Sequence, residues 1–238
     1  MNNIKPIDRT DFSLERKLVF QQDLATDLEG YVLLKHPEFV SEFEKSFPKS
    51  SESNETLGER LAIRFCLPVT MHRYLQAAGL LVDVSPIEYI DKVWAAFEAT
   101  TNRHWSRPKL SRLTRKEYGI EVISAGVKWL NEPVTEDSRK RMIESGYCDN
   151  NEQIEAYIKY LHGKTVEEIV AVRPAVITLQ SPVGAGLAHS VIGWDIKDGN
   201  LIYSNVDKRD GGRIALTEAP LTCLATDVAK NGAVTILI

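Results

Sequence analysis

Cys66 heads the stretch Phe65-Cys66-Leu67-Pro68-Val69-Thr70-Met71-His72-Arg73-Tyr74-Leu75-Gln76-Ala77-Ala78-Gly79. Pro68 suits the first turn of a helix, where an amide hydrogen is dispensable, and Gly79 suits its end. The spacing therefore predicts a helix opening at or just after Cys66. A thiol there meets unpaired amides and the positive end of the helix dipole, which favour thiolate over thiol. His189 opens an apolar strand after a glycine-rich loop, 123 positions further on. Asn205 and Asp207 close the next strand, 16 and 18 positions beyond the histidine. Neighbouring antiparallel strands bring such groups within reach of one imidazole. A thiol, a histidine base and an Asn or Asp to hold its tautomer are the parts of nucleophilic acyl chemistry. Alone, each of these residues is more simply read as a packed cysteine or a satisfied strand-end histidine. The combination points to a site.

Other motifs carry less. Gly184-Ala185-Gly186 lacks the spacing of a dinucleotide loop and the Lys-Ser/Thr of a phosphate loop, and reads as a strand connection. The histidines show no metal-ligand spacing, so no metal and no cofactor are expected. The basic run from Arg107 to Lys116 beside Trp105 reads as a solvated face rather than a grip for an acidic partner or substrate.

The elements that must position these residues change character along the chain. Residues 1–50 read as a helical N-terminal extension, with Leu14, Leu18, Val19 and Leu24 on one segment and Phe39, Phe43 and Phe47 on another. The small polar stretch Pro48–Thr56 is a linker or a surface loop. Ser85-Pro86-Ile87-Glu88 starts a helix predicted to end near Thr101, and Thr165-Val166-Glu167-Glu168 starts another. Glu136–Ser145 and Glu152–Leu161 also read as helices. From Pro174 onward the runs Ala175–Leu179, Ser190–Trp194, Leu201–Tyr203 and Val234–Ile238 are strand-like, with a hairpin turn at Asp198-Gly199. Helices first and strands last predict an α+β fold.

Composition closes off several classes. With 238 residues the chain has ample length for a buried core. Lys+Arg 29 against Asp+Glu 33 leaves a net charge of -4, so no nucleic-acid partner is expected. Three cysteines, Cys66, Cys148 and Cys223, suggest neither a disulfide framework nor a zinc site. No apolar run is long enough to predict a membrane span, and Met1–Glu15 lacks the apolar stretch of a signal peptide. A soluble cytoplasmic protein is the expectation.

The Cys and His segments resemble the papain-like cysteine enzymes, most closely the branch of bacteriocin-processing (double-glycine leader) peptidases. Members carry C-G-P-A-S at the head of a long helix ending in Gly. Cys66, Pro68, Thr70 for Ser, Leu75 and Gly79 match in register, with Leu67 in place of Gly. Around the histidine the family shows G-H, an apolar run, G-Y-D, then a strand closing in N-D-P. This chain reads Ala188-His189-Ser190-Val191-Ile192-Gly193-Trp194-Asp195 and then Ile202-Tyr203-Ser204-Asn205-Val206-Asp207. Arg173-Pro174 and the strand that follows are similar to the family's approach to its histidine.

The resemblance implies a papain-like domain over 57–238, its nucleophile helix packed on a C-terminal antiparallel sheet, with a helical insertion at about 83–170. It implies Cys66 as nucleophile, His189 as acid–base group, and Asn205 or Asp207 as the orienting residue. The chemistry implied is hydrolysis of a peptide or Gln side-chain amide through a thioester, or acyl transfer. The partner implied is a peptide or protein substrate. Arg60 stands where the family places its oxyanion-binding Gln, which leaves the Cys66 amide as one donor and Asn54 or Arg64 as candidates for the second. The same departures fit a degenerate domain that binds a peptide without turnover.

Overall fold

A computed structural model describes residues 12–13, 24–49, 54–98, 104–126, 130–180, 188–210, 213–220 and 233–238. The predicted helical residues Leu14, Leu18 and Val19, the loop at Gly184–Gly186 and Cys223 lie outside the described residues.

Local signals set most helix boundaries. Helices α1 (Ala25–Lys35) and α2 (Pro37–Ser46) come first, the second opening on a proline. In α3 (Leu57–Arg64) the Thr56 hydroxyl accepts the Glu59 amide at 3.2 Å while the Glu59 carboxylate accepts the Thr56 amide at 2.7 Å, a reciprocal cap. Helix α4 (Cys66–Ala77) follows after the single residue Phe65, and Gly79 turns the chain out of it at φ 81°. That conformation favours glycine.

Helix α5 (Pro86–Val93) starts as its Ser85 cap predicts, but stops well short of Thr101. A 3-10 turn at Trp94–Ala96 leads instead into β1 (Phe97–Glu98), which pairs with β2 (His104–Trp105). The Phe97 and Trp105 rings meet at 5.4 Å, so aromatic packing outweighs continuation of the helix.

Helix α6 (Arg107–Tyr118) leads to β3 (Val122–Gly126). Then come α7 (Glu136–Ser145), α8 (Asn151–Tyr160) and α9 (Val166–Val172). The last strands are β4 (Ala175–Gln180), β5 (Ala188–Lys197), β6 (Asn200–Asp210), β7 (Arg213–Pro220) and β8 (Ala233–Leu237). Asp198 and Gly199 join β5 to β6 with φ of 51° and 75°, the positive pair that a two-residue hairpin requires.

All pairings in the main sheet are antiparallel, in the order β3-β8-β4-β5-β6-β7. The α+β class follows directly. The stretch 83–170, expected as a helical insertion, is more than that: it supplies β3, which pairs with β8 near the end of the chain.

Helices cover the sheet on both sides. On one face, Val176, Ile192 and Leu237 share a core with Met71 and Leu75 of α4 and with Ile90 and Val93 of α5. Leu28, Phe43 and Phe65 belong to that same core, so α1 and α2 are built into it rather than standing apart. On the other face, Ile177, Leu179, Val191 and Ile236 pack with Met142 of α7, Ile154 and Tyr157 of α8, and Ile169 and Val170 of α9. Alternate residues of β4, β5 and β8 therefore serve opposite cores, as the pleat dictates. Among the described residues, no helix is long and apolar enough to cross a membrane.

Candidate active site

Cys66 is the first residue of α4, partly exposed and not in a disulfide. Phe65, fully buried, fixes the bend before it, its ring 5.2 Å from that of Trp105 and 5.8 Å from that of Trp94. The carbonyl end of α3 meets the amide end of α4 at this bend, which offsets part of the dipole benefit to the thiol. Nearby cations then matter more. Arg64, at the end of α3, stacks over the Phe47 ring at 3.7 Å and lies within electrostatic reach of Cys66.

The Thr70 and Tyr74 hydroxyls dock α4 onto the sheet. One turn beyond Cys66, the Thr70 hydroxyl donates to the Ser190 carbonyl at 3.0 Å. A further turn on, the Tyr74 hydroxyl donates to the Pro174 carbonyl at 2.9 Å and accepts the Leu237 amide at 3.1 Å. Pro174 precedes β4, and Ser190 pairs with Thr178 near that strand's far end. The helix thus runs back along β4, and Cys66 points toward the sheet end where β4 finishes and β5 begins. His189 lies at that same end, one residue before Ser190.

The pleat separates them by face. His189 pairs with Leu179, and Val191, two residues on, pairs with Ile177. Leu179, Ile177 and Val191 all belong to the core beneath α7, α8 and α9. Strand alternation therefore gives the partly buried His189 to that face, while Ser190, Thr178 and the α4 helix share the other. Cys66 and His189 converge on one end of the sheet from its two sides. Asn205 pairs with Val191, two residues past His189, rather than with the histidine itself. Asp207 follows two residues later on β6. The backbone of both is described, and their side chains lie outside the described residues.

The largest departure from expectation is the basic run. Arg107 and Arg115 are buried, not solvated. Arg107 donates through Nη2 to the Thr178 hydroxyl at 2.7 Å, and through Nη1 to the Thr235 hydroxyl at 3.0 Å and the Val176 carbonyl at 3.1 Å. The Thr235 hydroxyl continues to Ser124 at 2.7 Å, and Ser124 to Ser111 at 2.6 Å. This polar row crosses β4, β8 and β3 on the α4 face. Arg115 is held by Asp149 at 2.7 Å and by the Val122 carbonyl at 2.7 Å, so its burial is compensated. Arg107 has no such carboxylate and makes no ion pair among the described residues. Burial pulls its guanidinium down to about 10, opposed by the Tyr147 and Cys66 side chains, so it stays charged at neutral pH. One signal was present in the sequence: Arg107, Leu110, Ser111, Thr114 and Arg115 repeat at three- and four-residue spacing, a mixed face that a helix can bury.

The remaining candidates have other employment or stand apart. Arg60, in the position of the expected Gln, donates to the Phe47 carbonyl at 2.7 Å and pairs with Glu44 at 3.3 Å. Asn54 is exposed in the segment ahead of α3. Cys148 is buried, and desolvation pushes its thiol up to about 12. A cleft of about 450 Å³ lined by Phe12, Pro174, Trp194, Ile202 and Leu216 lies away from these residues.

No protein-family model and no curated protein matches this chain.

Proposed function

We propose that the chain is a papain-like, cysteine-dependent hydrolase of an amide, either a peptide bond or a Gln side chain. The Cys66 sulfur attacks the carbonyl carbon, the C–N bond breaks, and the amine leaves with a proton. Water then opens the thioester to a carboxylic acid and restores the sulfur. The observation that carries this reading is the Thr70–Ser190 hydrogen bond, which brings the head of the Cys66 helix to the strand that starts beside His189. His189 is the acid–base group of this reading. Strand alternation sets its imidazole on the face of β5 away from α4, so this role requires a register at the start of β5 one residue different.

The pleat itself favours a second reading, a papain-like domain that binds a peptide without turnover. One experiment separates them. Proteome-derived peptides are incubated with the full chain, and mass spectrometry reads new termini and the mass shift of deamidation. Hydrolysis lost in both Cys66→Ala and His189→Ala supports the enzyme. Peptides retained equally by wild type and Cys66→Ala, with none altered, overturn it in favour of the binder.

A further inference from the structure

We propose that Arg107 is the positioning residue that holds Cys66 as a thiolate, its buried guanidinium supplying from the sheet face the positive field that the helix end alone does not. This deepens the hydrolase reading and rests on Cys66 being its nucleophile. The placement is geometric. Arg107 bonds Thr178, Thr178 pairs with Ser190, and the Ser190 carbonyl takes the hydroxyl of Thr70, one helical turn from Cys66. Guanidinium and thiol therefore lie on the same face and toward the same end of the sheet.

Charge accounting gives the direction. Arg107 is 6% exposed, and its acceptors among the described residues are two hydroxyls and a carbonyl, all neutral. A buried cation without a counter-ion is costly, so an anion nearby is strongly favoured. Among the described residues, two ionisable groups lie within its influence, Tyr147 and Cys66. Burial pushes the Tyr147 phenol up despite Arg107, which keeps it neutral near pH 7. Cys66 is left as the anion.

Neither Arg64 nor His72 replaces this charge. Arg64 approaches from α3 but is less deeply buried, so solvent screens it more. His72 on α4 is turned to the Val84 carbonyl at 2.8 Å, and His189 belongs to the opposite face of β5. The thiol proton goes to solvent, and the sulfur is a nucleophile before any base acts.

The test is the pH dependence of Cys66 alkylation by iodoacetamide in the full chain, read by peptide mapping. The S–C bond forms from the thiolate and iodide leaves, so the rate follows ionisation. In wild type the midpoint should fall below the ordinary thiol value of about 8.5. Arg107→Gln should raise it by about one unit and slow labelling at pH 7 roughly tenfold, while Arg107→Lys should retain most of the shift. Thr178→Val, which removes a neutral acceptor and keeps the charge, should leave the midpoint within a few tenths of wild type. A wild-type midpoint at or above about 8.5 overturns the proposal even where Arg107→Gln fails to fold. Equal midpoints in wild type and Arg107→Gln, or equal shifts in Arg107→Gln and Thr178→Val, overturn it as well. Turnover is not part of this readout: a depressed midpoint without hydrolysis refutes only the hydrolase reading, and hydrolysis with an ordinary midpoint refutes only the role of Arg107.

Discussion

The Tyr74 hydroxyl donates to the Pro174 carbonyl across 100 positions of sequence, at 2.9 Å and in full burial. The same oxygen accepts the Leu237 amide at 3.1 Å, so one phenol ties α4 to the start of β4 and the end of β8. Tyr74→Phe removes a single oxygen yet strands two buried backbone groups. The expected cost is roughly 2–6 kcal/mol, from two unsatisfied groups at about 1–3 kcal/mol each. Urea unfolding of the two proteins measures it. A loss under about 0.5 kcal/mol would mean that water or another donor reaches both groups.

Asp149 makes a second long-range tie, bridging Arg112 and Arg115 at 2.7 Å each. Burial raises its carboxyl, but the two guanidinium groups outweigh that and hold it below the usual carboxylate range. A carboxyl held low stabilises the fold above its ordinary value and loses that contribution as pH falls through the folded value. Asp149→Asn should therefore destabilise at pH 7 by roughly 2–3 kcal/mol, because Arg115 is left buried without its anion. The deficit should shrink as wild type is acidified below pH ~3.8. A pH-independent difference between the two proteins would contradict the ion pair as its source.

Thiol labelling at neutral pH should discriminate Cys66 from Cys148 by at least about tenfold. Cys66 is partly exposed at a helix start near two guanidinium groups, whereas burial pushes the Cys148 thiol up to about 12. Quantitative mapping of alkylated peptides from the folded chain gives the ratio. Faster labelling at Cys148 would remove the physical basis for a nucleophile at Cys66.

Local chemistry was readable in the sequence, and long-range placement was not. Pro68 and Gly79 bracket α4, Thr165 and Glu168 cap α9, and Asp198-Gly199 turns the hairpin, because each signal acts on residues a few positions away. Strand β3 has no local signature, because five residues between helices mean little until β8, over 100 positions on, offers an edge. The burial of Arg107 likewise depends on acceptors 69, 71 and 128 positions distant, which no window along α6 contains. For the candidate site, the sequence put Cys66 at a helix start and His189 at a strand start. It could not give the face of β5 that the imidazole occupies, since a register one residue different reverses every side chain.

His72 supplies a prediction about acid. It is buried on α4, its Nε2 donating to the Val84 carbonyl at 2.8 Å while Nδ1 meets no partner among the described residues. A second proton would sit on Nδ1 in an apolar setting beside Tyr89, whose ring is 5.5 Å away. Desolvation therefore dominates, and the imidazole is pushed from 6.5 down to about 4. Between those values the unfolded chain binds a proton that the folded chain refuses, so stability is full above pH ~6.5 and falls as pH drops toward ~4. The loss from this one residue should be roughly 3 kcal/mol between pH 7 and pH 4. His72→Gln keeps a nitrogen donor near Val84 but has no proton to gain. Its stability should be lower than wild type at pH 7 and nearly flat over the same interval, after the common slope of the other groups is subtracted. Chemical denaturation at half-unit pH steps compares the two curves. If they run parallel from pH 7 to pH 4, His72 takes up its proton without cost in the fold, and the assignment of a neutral, Nε2-protonated ring is wrong.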